Sequence, residues 1–171
     1  PPAAMANARV GVRGACVAWI LVLTLLDQLT KVLVFREVPG MGDSFTIASW
    51  GESVQLHFTH VENSGGIFGM LQGWTTPLAV ARAGAVIGLV GWIWRHPVRG
   101  EGPHAPLVLV AAGALGNLLD NLFAPRHAVR DFVDFQFGST FHYAAFNLAD
   151  ACICVGAVLL FASGFRKEEA D

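Results

Sequence analysis

The chain has 171 residues, of which 54% are hydrophobic and 14% charged, and its formal net charge is −2. Soluble domains carry about 25% charged residues, so this composition excludes an ordinary soluble enzyme and predicts an integral membrane protein. The near-neutral charge, without a basic stripe, argues against a nucleic-acid partner. The length predicts one domain over residues 1–171, with residues 1–8 interpreted as a disordered start or a tag remnant.

Four apolar segments are long enough to cross a membrane, which takes roughly 20 helical residues. They are predicted as spans at about 15–35, 74–94, 105–123 and 147–165. Glycines in the second and third spans are interpreted as points of close helix packing, because small residues let membrane helices approach each other. These glycines are Gly84, Gly88, Gly91, Gly113 and Gly116.

Basic residues indicate how the spans are oriented, because they favour the cytoplasmic side of a membrane. They cluster before the first span, between the second and third, and after the fourth, at Arg9, Arg13, Arg95, Arg99, Arg166 and Lys167. Both termini are therefore predicted to be cytoplasmic. The connections at about 36–73 and 122–146 are then predicted on the extracytoplasmic side, and the connection at 99–103 on the cytoplasmic side.

The first outer connection has its own structural pattern. Val54, Leu56 and Phe58 alternate with polar residues, which is typical of a half-buried strand. Residues 67–71 are predicted as a short interfacial helix. The predicted fold class is an all-α membrane protein with four transmembrane helices and a small extracytoplasmic β-sheet cap at about 36–73.

Acidic residues interrupt three of the four apolar spans. At 1.5 Å of rise per helical residue, Asp27, Asp120 and Asp150 all lie about 21–22 Å from the cytoplasmic edge. Ionisable residues inside membrane segments are expensive and usually functional. Asp131 reaches the same level if the second outer connection, interpreted as a loop, folds back onto the helices.

Further polar residues share helix faces with these acids. Each acid has a polar partner three or four residues away, which places both on one face. The partners are Asn117 for Asp120, Asn147 for Asp150, and Lys31 for Asp27, the last as an i,i+4 ion pair. Arg82, inside the second span, is expected either to extend outward to the interface or to pair with one of the acids.

Clustered carboxylates support two kinds of function. Two close carboxylates share one proton, so one can activate a water while the other protonates a substrate carbonyl. Depth alone pairs Asp150 with Asp120. The alternative is a proton- or cation-coupled carrier that uses the acids as a relay, although the apolar inner halves of the spans favour a site open to one side. Neither a metal nor another cofactor is predicted, since His57 and His60 point to opposite faces of their strand.

Five segments, in order along the chain, resemble the sequence boxes of bacterial lipoprotein signal peptidase, also called signal peptidase II. DQLTK is similar to the family's D-Q-x-S/T-K box, NSGGIF to N-x-G-x-x-F and GALGNLLD to G-A-x-G-N-x-x-D. VRDF and FNLAD resemble V-V-D-F and F-N-x-A-D. The segments lie at 27–31, 63–68, 113–120, 129–132 and 146–150.

The resemblance implies that Asp131 and Asp150 form a catalytic aspartate dyad. It implies substrate-binding or supporting roles for six further residues, Asp27, Lys31, Asn63, Asn117, Asp120 and Asn147. Two roles stay open for Asp120, polar bracing of the helices and contact with the substrate. Two also stay open for Asn63, anchoring the peptide backbone and forming a turn.

The resemblance also implies the reaction and its setting. The expected substrate is a diacylglyceryl-modified prolipoprotein, cleaved just before the lipidated cysteine. The other expected partners are membrane lipids and inhibitory globomycin-type cyclic peptides. The expected enzyme is a monomer in the bacterial cytoplasmic (inner) membrane, with its active site toward the extracytoplasmic side.

The chain departs from the family pattern near the expected dyad. Asn121 stands where the family usually has an arginine after the G-N-x-x-D aspartate, and Arg126 and Arg130 are candidates to replace it. The stretch from Asp120 to Asp131 is about two residues longer than usual. Arg130 directly precedes Asp131 and is expected to lower its pKa.

Overall fold

The structure is a computed structural model that describes residues 3–51, 53–65, 72–96, 104–138 and 141–168. The helices in this part of the chain are α1 (Ala3–Glu37), α2 (Thr75–Arg95), α3 (His104–Phe123) and α4 (Leu148–Glu168). The strands are β1 (Ser44–Trp50), β2 (Val54–Asn63), β3 (Val129–Phe137) and β4 (Phe141–His142). The interfacial helix predicted at 67–71 and the connection at 99–103 lie outside the described residues.

The four predicted apolar segments coincide with the four helices. Helix α1 begins at Ala3, so residues 3–8 are helical where the sequence predicted a disordered start. Among the described residues, three helices are able to cross a membrane by length and composition, at Val12–Glu37, Thr75–Arg95 and His104–Phe123. The apolar part of α4, Leu148–Ser163, is shorter.

Helix α3 lies at the centre of the bundle and packs against α1, α2 and α4. Small residues such as Ala111 and Ala112 are completely or almost completely buried in it. The outer helices instead expose large apolar side chains, including Leu25 on α1, Ile87 on α2 and Phe161 on α4. An apolar exterior of this extent indicates contact with lipid rather than water.

Glycines set the spacing between α3 and its neighbours. A Cβ at Gly113 would lie 2.3 Å from the backbone oxygen of Ala149 on α4. A Cβ at Gly116 would lie 2.6 Å from Asp27 Oδ2 on α1. The interpretation of these two glycines as packing points is thereby confirmed. For the α2 glycines it is wrong, because at Gly84, Gly88 and Gly91 an added Cβ meets nothing within 4 Å.

Gly113→Ala is therefore expected to destabilise the protein. The clash is with rigid backbone, so α3 and α4 must separate, at a cost of about 1–3 kcal/mol. Gly84→Ala is the matched control on α2, and its melting temperature should equal or exceed that of the wild type. Thermal unfolding of the three proteins in one detergent tests this. Equal melting temperatures for both variants would show that α3 and α4 are not held at this distance.

The strands form one antiparallel sheet in the order β1-β2-β3-β4. Strand β2 confirms the strand predicted from the alternation at 54–59. Strand β3 corrects the interpretation of the second outer connection as a loop. It pairs with β2 from Val54↔Phe137 to Asn63↔Val129, so residues 129–137 of that connection belong to the sheet.

Phe146, the residue directly before Asn147, joins the sheet to α4. The backbone N–H of Val133 donates to the Phe146 oxygen at 2.8 Å, and that of Phe146 donates to the Val133 oxygen at 3.0 Å. The chain thus runs along β3 immediately before α4 begins. On the other side, Phe132 packs against Val34 and Val38 at the end of α1. These contacts fix β3, and with it Asp131, against the helix ends.

Candidate active site

Helix α4 begins with two reciprocal hydrogen bonds between Asn147 and Asp150. The backbone N–H of Asp150 donates to Asn147 Oδ1 at 2.9 Å, and that of Asn147 donates to Asp150 Oδ2 at 3.2 Å. This is the capping-box arrangement, which satisfies two free donors of a helix N-terminus. It fixes the orientation of the Asp150 carboxylate relative to the first turn.

The same asparagine also binds Asp131. Asn147 Nδ2 donates to Asp131 Oδ1 at 2.6 Å. The other carboxylate oxygen, Oδ2, accepts from Asn63 Nδ2 at 3.0 Å, while Asn63 Oδ1 accepts from the backbone N–H of Gly65. Asn63 therefore both forms the turn after β2 and binds an acid. Asp131 and Asp150 are brought together by Asn147, which contacts both.

Asn117 connects α3 to this pair. Its Nδ2 donates to Asp150 Oδ1 at 2.8 Å. Its Oδ1 accepts from Lys31 Nζ at 3.0 Å and from Asn147 Nδ2 at 3.2 Å. Because Oδ1 is occupied by two donors, the amide nitrogen must face Asp150. Asn117 and Asn147 thus supply donors to the two carboxylates from two different helices.

Lys31 is completely buried and bridges two carboxylates. Its Nζ lies 2.7 Å from Asp27 Oδ2, which confirms the predicted i,i+4 pair, and 3.0 Å from Asp120 Oδ2. Asp27 Oδ1 in turn accepts from the backbone N–H of Ala149 at 2.9 Å. The ion pair therefore joins α1 to α3 and to the first turn of α4.

Asp120 is occupied by cations on both carboxylate oxygens. Arg130 donates to Oδ1 from Nη2 at 2.6 Å and from Nε at 3.1 Å, and its backbone N–H donates to Oδ2 at 3.0 Å. Lys31 occupies the remaining side of Oδ2. Gln28 completes the cluster by donating to Asp120 and accepting from Arg130. These contacts fit the bracing interpretation of Asp120, and not the pairing with Asp150 that depth alone predicts.

Burial and the charge of Asp150 raise the pKa of Asp131 to about 7, burial being the larger cause. Hydrogen bonds from Asn63 and Asn147 oppose this rise. The expectation that Arg130 lowers the pKa of Asp131 is therefore wrong. Successive side chains on a strand point to opposite faces, and Arg130 directs its guanidinium to Asp120. Asp131 therefore keeps its proton to a higher pH than an exposed aspartate does.

The raised pKa of Asp131 makes stability depend on pH in a defined direction. Its value in the unfolded chain is near 3.8, so between about pH 4 and 7 the folded state binds more protons than the unfolded state. Stability must then fall as pH rises through this window. Relative to Asp131→Asn, the wild type should lose melting temperature between pH 5 and pH 8. If the melting temperatures of the two proteins changed with pH in the same way across that range, the raised pKa of Asp131 would be contradicted.

The two arginines that the sequence offers as replacements for the family arginine at Asn121 contact other residues. Arg126 is 62% exposed in its side chain and binds Glu62, and Arg130 binds Asp120. Instead, Arg82 of α2 donates from Nη1 to Asn121 Oδ1. The sequence offered only the depth of Arg82 as a signal, which does not identify its partner.

Comparison with known proteins decides the family. A family model described as signal peptidase (SPase) II matches residues 19–166. The chain belongs to the signal peptidase II family. The prediction of a peptidase is thereby confirmed, and the family favours it over the alternative of a carrier.

Individual members of the signal peptidase II family match along most of the chain. The lipoprotein signal peptidase of Bacillus pumilus (strain SAFR-032) is 36% identical over 140 residues, covering 82% of this chain and 85% of that protein. That of Shewanella amazonensis (strain ATCC BAA-1098 / SB2B) is 37% identical over 163 residues, covering 90% and 89%. The match to the family model at residues 19–166 spans all five resembling segments.

The fold agrees with that of solved bacterial membrane enzymes. One, determined by the in meso method at 2.3 Å resolution, superimposes with a TM-score of 0.77 at 26% identity and covers 92% of each chain. A second, at 1.9 Å resolution, gives a TM-score of 0.70 at 27% identity and covers 88% of this chain and 92% of its own. This signal peptidase II family member is therefore a membrane enzyme.

Proposed function

We propose that the chain is an aspartic endopeptidase that removes the signal peptide of diacylglyceryl-modified prolipoproteins just before the lipidated cysteine. The observation that carries the proposal is the position of Asn147, which donates to Asp131 from its side chain and to Asp150 from its backbone. Two carboxylates held by one residue, with the pKa of Asp131 raised to about 7, are suited to sharing a proton.

Both carboxyl groups transfer a proton in each of the two steps of the reaction. The ionised carboxylate takes a proton from a water, whose oxygen attacks the scissile carbonyl carbon, while the protonated carboxylate donates to the carbonyl oxygen. The resulting tetrahedral diol collapses when Asp150 returns a proton to the leaving nitrogen, the C–N bond breaks and Asp131 takes a proton from a diol hydroxyl. At neutral pH the raised pKa of Asp131 supports its role as the proton donor, with Asp150 as the base.

The surrounding polar residues orient the two acids in this proposal. Asn63, Asn117 and Asn147 donate to the dyad oxygens, which keeps the lone pairs of the carboxylates in fixed directions. Asp27, Lys31 and Asp120 form the buried ion-pair cluster beneath them. We assign the first group to dyad support and the second to bracing of the helices.

We place the protein in the bacterial cytoplasmic membrane as a monomer with four membrane-spanning helices and both termini in the cytoplasm. The basic residues flanking the helices support this orientation. The sheet and the dyad then lie toward the extracytoplasmic side. This is the side where a lipidated signal-peptide junction emerges, and where a globomycin-type peptide would compete for the site.

The test uses the purified full chain in detergent and a gel-shift assay. A diacylglyceryl-modified prolipoprotein should be converted to a faster-migrating product, and globomycin should suppress the conversion. The same prolipoprotein without its lipid is the matched control and should remain uncleaved. Equal cleavage of both forms would contradict the proposed substrate class, and no cleavage of either would contradict the proposed function.

A further inference from the structure

A cavity of about 300 Å³ opens between the end of α1, the end of β2 and the turn that joins α3 to β3. It is separate from the dyad, since neither Asp131 nor Asp150 lines it. Three of its lining residues are arginines, Arg36, Arg126 and Arg130. Small-molecule sites have volumes of roughly 300–1,000 Å³. The cavity is therefore large enough for a small charged group, and its arginines favour an anion.

Contacts within the protein hold the walls of this cavity in place. The ring of His60 packs on that of Phe35 at a centroid distance of 3.9 Å, and its Nδ1 donates to the backbone oxygen of Val38 at 2.7 Å. These contacts join β2 to the end of α1. Arg130 is fixed as well, because its Nη2 lies 2.6 Å from Asp120 Oδ1. A ligand would thus enter a site that is already formed, which lowers the entropy cost of binding.

The cavity carries an excess of positive charge. Its acid, Glu62, lies 3.0 Å from Arg126 and balances that arginine, while Asp120 balances Arg130. The exposed side chain of Arg36 has no hydrogen-bond or ion-pair partner within the part of the chain that the structure describes. Arg126 is 62% exposed in its side chain, so its guanidinium has donors left for a ligand. The excess charge is therefore that of Arg36, with Arg126 beside it in the same cavity.

An apolar stripe on α1 leads to this cavity. It consists of Leu25, Leu29 and Val32, which are 66%, 49% and 40% exposed, and Val32 also lines the cavity. The three residues and Arg36 are spaced four, three and four positions apart, which places them on one helix face. This face belongs to the apolar segment Val12–Glu37, whose last turn contains Arg36. An occupant with an anionic head and an apolar chain therefore matches both the cavity and the stripe.

We propose that this cavity binds the phosphodiester headgroup of an anionic membrane phospholipid, with one acyl chain lying along the α1 stripe. Arg36 and Arg126 donate hydrogen bonds to the phosphate oxygens, because guanidinium groups match the geometry of phosphate. Arg130 also lines the cavity, so the lipid contacts the start of β3, the strand that carries Asp131. The lipid belongs to the outer leaflet in the membrane orientation proposed above, and its binding does not require peptidase activity.

The alternative explanation for these arginines is the helix dipole. Helices α1 and α3 both end beside the cavity, and a helix C-terminus favours a nearby cation without any ligand. Arg95 separates the two explanations. It is exposed and lies in the last turn of α2, as Arg36 does in that of α1, but it does not line the cavity. Arg95→Gln is therefore the matched control for the loss of such an arginine.

Native mass spectrometry of the purified full chain in detergent measures the affinity for the first bound lipid. The probes are dioleoylphosphatidylglycerol, which is anionic, and dioleoylphosphatidylcholine, which is zwitterionic with the same chains. An arginine near the membrane surface increases affinity for an anionic lipid about fivefold. Arg36→Gln and Arg126→Gln should each lower the affinity for phosphatidylglycerol by about that factor, and the double variant by about 25-fold. Arg95→Gln should leave it unchanged.

Glu62→Gln distinguishes an anion site from a structural ion pair. The substitution removes the acid of the cavity and keeps its shape, so the affinity for phosphatidylglycerol should rise about fivefold. If Arg126 served only to pair with Glu62, lipid affinity would not rise. Millimolar glycerol phosphate, which has no acyl chains, should not displace the lipid. Displacement would overturn the assignment to a lipid and indicate a soluble phosphate instead.

Size-exclusion chromatography first establishes that each variant is folded. Equal affinities of the wild type for the two lipids would overturn the inference, as would an unchanged phosphatidylglycerol affinity in the folded double variant. Should the double variant not fold, an affinity in Glu62→Gln that stays equal or falls would overturn it instead. The measurement contains no prolipoprotein, so its outcome is distinguishable from success or failure of the peptidase proposal.

Discussion

Replacing either dyad acid by asparagine is expected to abolish cleavage of a lipidated prolipoprotein. Each acid transfers a proton at a step that the other cannot perform in its place, so Asp131→Asn and Asp150→Asn should each lower kcat by about 10³-fold or more. Both substitutions preserve side-chain shape. The purified variants should elute as the wild type does, and the gel-shift assay should show uncleaved substrate after prolonged incubation.

Asp134→Asn is the matched control for these variants. Asp134 lies on the same strand, three residues beyond Asp131, and its Oδ2 contacts His142 Nδ1 at 2.7 Å, outside the dyad cluster. An asparagine oxygen can maintain that contact, so this variant should cleave at the wild-type rate. Substantial cleavage by either dyad variant would exclude the two-acid mechanism, whereas loss of cleavage in all three would indicate general damage to the sheet.

Removing the Lys31 charge is expected to have the largest effect on stability. In Lys31→Met, the carboxylates of Asp27 and Asp120 lose the ammonium that lies 2.7 and 3.0 Å from them. Breaking a buried pair by deleting one partner leaves an uncompensated charge and costs about 3–5 kcal/mol. For a chain of this size, the melting temperature should fall by about 10 °C. Thermal unfolding in detergent measures the change.

A double variant distinguishes lost charge pairing from lost packing. In Lys31→Met with Asp27→Asn, the unpaired charge on α1 is gone, while Asp120 keeps Arg130. Most of the lost melting temperature should therefore be recovered. If the double variant is as unstable as Lys31→Met alone, the destabilisation comes from the shape of the buried lysine and not from its charge.

Hydropathy and helical spacing predicted much of this architecture correctly. The four apolar segments form helices. The acids on three of them lie in one connected cluster. These features depend on local rules, since burying an acid in an apolar helix requires a partner at the same level. The Lys31 pair with Asp27 is the simplest case, because a spacing of four residues determines it.

The placement of Asp131 required information that local patterns do not contain. Its segment, VRDFVDFQF, lies in the second outer connection, which the sequence alone interprets as a loop. It forms a strand because β2 supplies one neighbour and Phe146 supplies backbone partners on the other side. Such pairing joins residues far apart in sequence, and neither segment alone indicates it.

The contacts of the arginines also depend on tertiary packing that local sequence patterns do not contain. From the sequence, Arg126 and Arg130 are the candidates for the cation near Asn121. The structure instead brings Arg82 from α2, since α2 packs on α3. Which side of α2 faces α3 is decided by tertiary packing, and the nearly uniform apolar composition of this helix does not encode it.

The central claim is that Asp131 and Asp150 together hydrolyse the peptide bond before a lipidated cysteine. Mass spectrometry of the products from one lipidated prolipoprotein tests it most directly, with wild type, Asp131→Asn and Asp150→Asn incubated side by side. The expected result is a wild-type product that begins at the lipidated cysteine, a released signal peptide with a free carboxylate, and intact substrate with both variants. A product that begins at another residue, or the same product from either variant, would contradict the claim.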